Sequence, residues 1–201
     1  MGFMVSLFGQ FVKEVLMQEL KKPEILSVSV AAKSRIFEIQ AVELKFSNGA
    51  YRVYERFKPS SRAAVLILPV DGQELLMIRE YAVGTERYEL GFPKGLMDPG
   101  ETPQQSANRE LKEEIGLGAN SLTHLRTVNS SPSFMNNPMH IFVARDFYPC
   151  KLEGDEPEPL QLVRYPLANI DELLQQPDFS EARNLTALYS LRDYLKSAAE
   201  Y

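Results

Sequence analysis

The chain has 201 residues, 44% of them hydrophobic, which is enough for one sizeable core or for one core with a small annex. A net charge of −5 argues against a nucleic-acid backbone as the main partner, because that contact requires an excess of basic side chains. Cys150 is the only cysteine and no apolar run reaches the length of a membrane span, so we expect a cytoplasmic protein with no disulfide framework and no membrane partner.

Residues 1–16 differ in composition from the rest of the chain. They lack the basic n-region of a signal peptide. A helical period would place five apolar residues on one face: Met4, Leu7, Phe8, Phe11 and Val15. We interpret this segment as an extension from an upstream start codon, with Met17 as the natural first residue. The alternative is a genuine amphipathic helix.

Apolar and polar residues alternate through much of the region at 17–60, which predicts a small antiparallel β-sheet. A change of phase between Ile39 and Val42 predicts a β-bulge in the second strand. Asn48 and Gly49 predict the hairpin turn that leads into the third strand. Because a sheet of about three strands has little core of its own, it should pack against the next domain or a second subunit.

Residues 61–201 are predicted to form the main domain. An apolar run at its start is typical of a buried strand, and Asp71-Gly72 turns the chain back into the next one. The predicted strands are residues 63–70, 75–81, 88–92, 122–128, 140–147 and 160–165, and the predicted helices are residues 103–115, 170–175 and 180–196. This order of elements predicts an α/β fold with a mixed sheet flanked by helices.

The predicted helix at residues 103–115 has clear start and stop signals. Thr102 and Gln105 have the spacing of a capping box, and Pro103 suits the first helical turn. Gly116 is the residue type that most easily takes the left-handed conformation at a helix end.

Three glutamates, Glu110, Glu113 and Glu114, fall within an arc of roughly 100° on this helix. They border an apolar stripe that should dock on the core, so we expect them to be half-buried. Half-buried like charges are costly unless a cation compensates them, and a set of oxygen ligands suits Mg²⁺ or Mn²⁺. The alternative is a solvated helix face on which Arg109 and Glu113 form an i,i+4 ion pair.

The loop before the helix favours the cation site. Gly95, then Glu101 after five residues, then RELKEEIGL after seven more, match the Nudix box G-x5-E-x7-R-E-U-x-E-E-x-G-U, where U is aliphatic. All nine specified positions agree, and chance agreement in a chain of this length is on the order of 10⁻⁷. The chain therefore resembles the Nudix hydrolases, and this motif is specific for the superfamily but silent on the substrate.

The resemblance is to Nudix hydrolases of ADP-linked compounds and extends from about Met17 to Leu195. It rests on the stretches SNGAYRVYERF, IREYAVGTERYELGFPKGLMDPGE and LEGDEPEPLQLVRYP. It implies a Nudix α/β/α sandwich, an N-terminal sheet that helps to form a homodimer, and Mg²⁺-dependent cleavage of a diphosphate with release of AMP. The substrates it implies are ADP-ribose, NADH and diadenosine polyphosphates such as Ap3A.

The same resemblance implies the metal ligands. It assigns Glu110, Glu113 and Glu114 to the ion, and it places Glu114 in catalysis as well. The backbone carbonyl of Lys94, which precedes the first glycine of the box, is a further implied ligand.

Four other residues of the box are expected to be structural. Gly95 would let its loop pass close to metal and phosphate. Glu101 and Arg109 are expected to form a pair that fixes the loop on the helix, and Gly116 ends the helix.

The general base is implied to come from the acidic loop at residues 151–159. Glu158 is the first candidate, because its spacing to the following strand resembles that of these hydrolases, and Glu156 is the second. Glu153 and Asp155 are the other carboxylates of the loop. At least two of the four are expected to be plain surface acids.

An anionic substrate requires cationic contacts. Arg79 resembles a diphosphate-binding arginine of ADP-ribose hydrolases. Arg56 and Arg62 lie where the N-terminal sheet is expected to meet the Nudix domain, from which they can reach across a dimer. The alternative for each arginine is a surface ion pair. Glu89, on the strand that enters the box, is a candidate for binding the terminal ribose.

Two other functions remain open. The first is a non-catalytic Nudix domain that senses a nucleotide, which the complete set of carboxylates disfavours. The second is hydrolysis of a different nucleoside diphosphate derivative, such as a nucleotide sugar, or of a nucleoside triphosphate.

Overall fold

The computed structural model of the protein describes residues 20–199. These residues divide into two compact units, one ending at Lys58 and the other beginning at Pro59. The predicted extension at residues 1–16, and the alternative helix there, lie outside the described residues. No helix among residues 20–199 is long and apolar enough to cross a membrane.

The first unit is a three-stranded antiparallel sheet in the order β1-β2-β3. Its strands are β1 (Glu24–Lys33), β2 (Glu38–Lys45) and β3 (Tyr51–Phe57). The β2–β3 turn closes through a hydrogen bond from the Phe46 amide to the Ala50 carbonyl at 2.8 Å, and Gly49 has φ 82°. The small sheet and its Asn-Gly turn are therefore confirmed.

The bulge predicted in β2 was wrong. β2 pairs with β3 in an unbroken register, whereas both register shifts of this sheet belong to β1, between Ile25 and Ser27 and between Val30 and Ala32. β1 is an edge strand, so an extra residue there disturbs only the β1–β2 ladder. In the central strand β2, the same extra residue would break two ladders.

The second unit is built on a seven-stranded mixed sheet in the order β10-β5-β4-β9-β8, with β6 beside β5 and β7 beside β4. Its strands are β4 (Ala64–Asp71), β5 (Glu74–Ala82), β6 (Arg87–Gly91), β7 (Lys94–Leu96), β8 (Leu117–Asn129), β9 (Pro138–Pro149) and β10 (Gln161–Pro166). Its helices are α1 (Pro103–Glu114), α2 (Ile170–Leu173) and α3 (Ala182–Ala199), with a 3₁₀ turn at Leu167–Asn169. β4 and β9 are parallel and the other pairs are antiparallel.

The central strand β4 has apolar side chains on both faces and so separates two cores. Val65 and Ile67 pack in one cluster with Leu111 of α1. Leu66 lies in the other cluster with Leu188 of α3. The alternation follows from the period of two in a strand, and both clusters are almost fully buried. The predicted α/β/α arrangement with a mixed sheet is therefore confirmed.

Two elements around α1 differ from the prediction. β8 begins at Leu117 rather than at residue 122, because Gly116 takes φ 73° and the strand follows at once. Asn108 fixes this start by exchanging two side-chain hydrogen bonds with the backbone of Ala119, at 2.9 and 3.2 Å. β7 was not predicted at all, since a strand of three residues that contains Gly95 carries no periodic signal.

Candidate active site

The helix α1 starts where the capping box predicts. The Gln105 amide donates to Thr102 Oγ1 at 3.3 Å, and the Thr102 amide donates to Gln105 Oε1 at 2.8 Å. Ala107 and Leu111 are fully buried against the sheet. That anchor sets the rotation of the helix, so the carboxylates beside the apolar stripe border the core, and the predicted helix is confirmed.

Arg109 ties the loop that precedes α1 to the helix. Its guanidinium donates two hydrogen bonds to Glu101, at 2.9 and 3.0 Å, and one to the Leu96 carbonyl at 2.9 Å. The Asp98 amide also donates to Glu101 at 2.9 Å. These donors hold the pKa of Glu101 below its usual range, with Arg109 as the main cause, and the pKa of Arg109 is raised in turn.

The surroundings of Glu110 and Glu114 disfavour the ionised forms of both carboxylates. Glu110 is only 7% exposed, and burial raises its pKa to about 7 although Arg109 opposes the shift. Burial raises the pKa of Glu114 to about 9, and the charge of Glu110 adds to the shift. The Lys94 amide donates to Glu114 Oε2 at 3.2 Å. The amide and the charge of Lys94 do not offset the loss of water around Glu114, and Arg109 does not offset it around Glu110.

These carboxylates line a cleft of about 640 Å³ in the second unit. The helix contributes Glu110, Glu113 and Glu114, and the loop at residues 153–157 forms another side. Lys94, Gly95, Arg62 and Arg109 also line the cleft. The cleft therefore combines acidic groups that could hold a metal cation with basic groups that could bind an anionic substrate.

The donor set of the cleft fits a hard divalent cation. Among the described residues no three Asp, Glu, His or Cys side chains already surround one point. Arg109 donates to one oxygen each of Glu110 and Glu113 at 2.8 Å. The acidic donors of the cleft are carboxylate oxygens, which Mg²⁺ and Mn²⁺ prefer. The raised pKa values of Glu110 and Glu114 indicate negative charge that a cation would relieve.

The structure separates the two candidates for the general base. Glu156 lines the cleft and is half-buried, and its charge contributes to the raised pKa values of Glu110 and Glu114. Glu158 is exposed and accepts a hydrogen bond from the Tyr88 hydroxyl at 2.6 Å. It is not among the described residues that line the cleft.

The four predicted substrate-binding residues lie in different places. Only Arg62 lines the carboxylate cleft, where it is 3.7 Å from Asp98. Arg79 forms an ion pair with Asp178. In the first unit, Nε of Arg56 donates to a side-chain oxygen of Gln40 at 3.2 Å.

Glu89, the fourth predicted substrate-binding residue, lines a second cavity of about 410 Å³, which shares Glu80 and Lys94 with the carboxylate cleft. Glu80 and Lys94 form an ion pair at 2.6 Å. One oxygen of Glu89 pairs with Arg87 at 2.8 Å. The other oxygen is buried and has no hydrogen-bond partner in the part of the chain that the structure describes.

Three polar residues near these cavities gave no signal in the sequence. Tyr88 and Asp178 contact predicted site residues across 70 and 99 positions of the chain. Asn184 is 3% exposed and accepts a hydrogen bond from the Phe92 amide at 3.2 Å. A β-carbon on Gly91 would stand 2.7 Å from the Asn184 amide nitrogen, so the glycine provides its space. Such pairings depend on strand and helix packing and leave no local pattern.

Two relatives and one solved structure align with most of the chain. The chain is 56% identical over 179 residues to ADP compounds hydrolase NudE of Escherichia coli (strain K12). The alignment covers 89% of this chain and 96% of that protein. The chain is 28% identical over 182 residues to ADP-ribose pyrophosphatase of Bacillus subtilis (strain 168), covering 87% and 97%. A crystal structure of an ADP compounds hydrolase superposes with a TM-score of 0.88 at 55% identity, covering 92% of this chain and all of that one.

Two family models match the two units. The NudE-type Nudix hydrolase N-terminal domain matches residues 23–56, which include most of the three-stranded sheet. The NUDIX domain matches residues 60–193, which include the box helix, the cleft and most of α3. The chain therefore belongs to the Nudix hydrolase family, whose members generally depend on a divalent metal.

Proposed function

We propose that this Nudix hydrolase is a Mg²⁺-dependent pyrophosphohydrolase that cleaves the diphosphate of ADP-linked compounds and releases AMP. The observation that carries the proposal is the pair of acids Glu110, which is buried, and Glu114, which is half-buried, at a cleft lined also by basic side chains. The names of its relatives, ADP compounds hydrolase and ADP-ribose pyrophosphatase, support ADP-ribose as a substrate. NADH and diadenosine polyphosphates such as Ap3A are the further substrates we propose.

Glu110, Glu113, Glu114 and the backbone carbonyl of Lys94 would hold the ion, with Mn²⁺ as a substitute for Mg²⁺. When bound, such an ion neutralises phosphate oxygens and lowers the pKa of a bound water. Arg109 holds Glu110 and Glu113 in place by hydrogen bonds of 2.8 Å. The helix therefore presents its ligands on a rigid element, as a site with demanding geometry requires.

Basic side chains of the cleft would bind the diphosphate. Arg62 and Lys94 lie in the cleft, and among residues 20–199 each forms one ion pair, with Asp98 at 3.7 Å and with Glu80 at 2.6 Å. Phosphate oxygens can compete for such cations, because a guanidinium or ammonium has several donors. Arg79 and Arg56 remain proposals for the same role, and for Arg79 the substrate would have to compete with Asp178.

Glu156 is the general base in this proposal. Its position in the cleft, facing Glu110 and Glu114, is where a base must lie to take a proton from the attacking water. Glu158 is the alternative, and to act it would have to leave Tyr88 and enter the cleft. The sequence spacing favours Glu158 and the geometry favours Glu156.

Glu89 is proposed to bind the sugar on the far side of the diphosphate. The cavity lined by Glu89 shares Glu80 and Lys94 with the carboxylate cleft, so a substrate bound in the cleft can extend into this cavity. The buried oxygen of Glu89 that has no hydrogen-bond partner among residues 20–199 is an acceptor, to which a sugar hydroxyl can donate.

We also propose that the protein is a cytoplasmic homodimer. The first unit exposes several large apolar side chains, among them Val28, Ile36 and Val53. Exposed apolar groups on a small sheet are typical of a surface that a second subunit covers. The single cysteine is in keeping with a reducing compartment.

The test is a substrate panel with the purified protein. AMP should appear from ADP-ribose, NADH and Ap3A in the presence of Mg²⁺ and disappear when a chelator is added. No AMP from any of the three would defeat the proposal. Tight binding of ADP-ribose without turnover would favour a sensor, and a higher kcat/KM on a nucleotide sugar or nucleoside triphosphate would reassign the substrate.

A further inference from the structure

The loop that carries the candidate bases is fixed mainly at its ends. At its start, the Cys150 amide donates to the Gly116 carbonyl at 3.0 Å and the Leu152 amide donates to the Lys112 carbonyl at 3.1 Å. At its end, β10 begins and pairs with β5. Within residues 20–199, the one hydrogen bond that ties residues 153–158 to another element comes from Tyr88.

The contact between Tyr88 and Glu158 is of a strong kind. The phenol oxygen lies 2.6 Å from the carboxylate oxygen, the length expected when a hydroxyl donates to an ionised acid. Tyr88 itself is held on β6, which pairs with β5, and its ring packs edge-on against Tyr81 at 5.6 Å between centroids. The donor therefore belongs to the sheet and the acceptor belongs to the loop.

The segment between Glu156 and Glu158 can transmit this constraint. Pro157 and Pro159 fix their own φ angles near −65°, so the backbone around Glu158 has few ways to move alone. The carboxylate of Glu156 lies against the backbone of Gly154, at a point where any β-carbon would overlap it. Displacing Glu158 should therefore displace Glu156 as well.

We propose that Tyr88 is the positioning residue of this loop: it holds Glu158 outside the cleft and thereby sets Glu156 opposite Glu110 and Glu114. The catalytic part of this inference rests on the proposed function, in which Glu156 is the base. Tyr88 acts through the loop and does not contact the reacting atoms.

The test compares Tyr88→Phe with Tyr189→Phe, which removes a hydroxyl from an exposed tyrosine of α3 that lines neither cavity. Tyr88→Phe should lower kcat on ADP-ribose by about tenfold to a hundredfold, part of the 10²–10⁴-fold that a base contributes, with KM within about twofold. Hydrogen exchange at the amide of Leu152, which donates to the Lys112 carbonyl at the start of the loop, should become faster in the same variant without metal or substrate. Tyr189→Phe should leave the rate and the exchange unchanged.

Substitutions of Glu158 separate positioning from catalysis. Glu158→Gln keeps an acceptor for the Tyr88 hydroxyl and should retain most of the activity, whereas Glu158→Ala should resemble Tyr88→Phe. The double variant Tyr88→Phe/Glu158→Ala should be no worse than either single one. Additive losses, or a Tyr88→Phe variant with the kcat and the exchange of the unaltered protein, would overturn the inference.

A failure of the proposed function can be distinguished from a failure of the inference about Tyr88. If no substrate yields AMP, the exchange experiment still decides whether Tyr88 holds the loop. If Glu156→Gln turns over at the unaltered rate while Glu158→Gln loses activity, Glu158 is the base and the positioning role assigned to Tyr88 is wrong.

Discussion

Gly95 lies so close to Glu110 that a β-carbon at this glycine would overlap the carboxylate of Glu110. The glycine is not required for its backbone angles, since its φ is not among the positive ones of the described chain. It is required for space, because Glu110 is buried and has little room to retreat. The first glycine of the box thus allows the loop to pass over a carboxylate of the helix.

Replacing Gly95 tests this relationship. Gly95→Ala should displace Glu110 or the loop and lower kcat/KM by roughly a hundredfold, because displacements of about 1 Å at a catalytic site can cost that much. Gly84→Ala is the matched control, since a β-carbon there meets nothing within 4 Å and its φ is not positive. Steady-state kinetics on ADP-ribose provide the measurement. Equal activities of the two variants would show that the close contact between Gly95 and Glu110 is not required for activity.

Glu114→Gln should lower kcat by several orders of magnitude while the fold survives. The substitution removes a charged ligand but keeps its shape, so little packing is lost. Glu86→Gln, at an exposed turn, is the control for a change of one charge. Mn²⁺ affinity by titration calorimetry should fall in the first variant only. A Glu114→Gln enzyme that works at the unaltered rate would contradict the assignment of Glu114 to the metal.

Arg109→Lys should destabilise the protein by about 2 kcal/mol, because hydrogen bonds to charged groups contribute roughly 1.5–3 kcal/mol each and lysine cannot reproduce the fork that binds Glu101. The affinity for divalent ions should also fall, since Arg109 holds Glu110 and Glu113 as well. Arg126→Lys, on an exposed part of β8, serves as the control. Urea unfolding of both variants gives the free energies. If the Arg109→Lys protein has the same free energy of unfolding as the control, the structural role assigned to Arg109 is wrong.

The helix of the box was predictable because every determinant lies within about fifteen residues. The capping box of Thr102 and Gln105, the stop at Gly116 and the apolar stripe are local patterns with a fixed period. The same period places Glu110 and Glu114 beside the buried stripe, and the structure gives them the burial that this position implies. Local physics therefore sufficed for the region of the site.

The surroundings of the helix were not predictable in the same way. Asp178 pairs with Arg79 across 99 positions, and Asn184 reaches Phe92 across 92. Glu158 accepts a hydrogen bond from Tyr88, which lies 70 positions before it, and our proposal of Glu156 as the base depends on this contact. The sequence spacing near β10 favoured Glu158, but it carries no information about a tyrosine on another strand. Long-range pairings become visible only when the sheet is assembled.

The raised pKa values of Glu110 and Glu114 predict how the stability of the metal-free protein depends on pH. An ordinary glutamate titrates near 4.5, whereas the folded protein has pKa values of about 7 for Glu110 and about 9 for Glu114. The folded state therefore binds protons more tightly than the unfolded state does at these two sites. Their contribution to stability is fully present below pH 4.5 and is lost as the pH rises through about 7 and then about 9.

The melting temperature in chelator should therefore fall between pH 5.5 and pH 8.5, and Mg²⁺ should raise it more at pH 8.5, because the ion binds the ionised carboxylates. Glu114→Gln should flatten the decline in chelator, since the larger of the two shifts belongs to Glu114. Glu86→Gln should leave the decline as it is. A melting temperature in chelator that stays constant or rises over this range would mean that these carboxylates are not desolvated in the folded protein, and the electrostatic reason for a cation in the cleft would be lost.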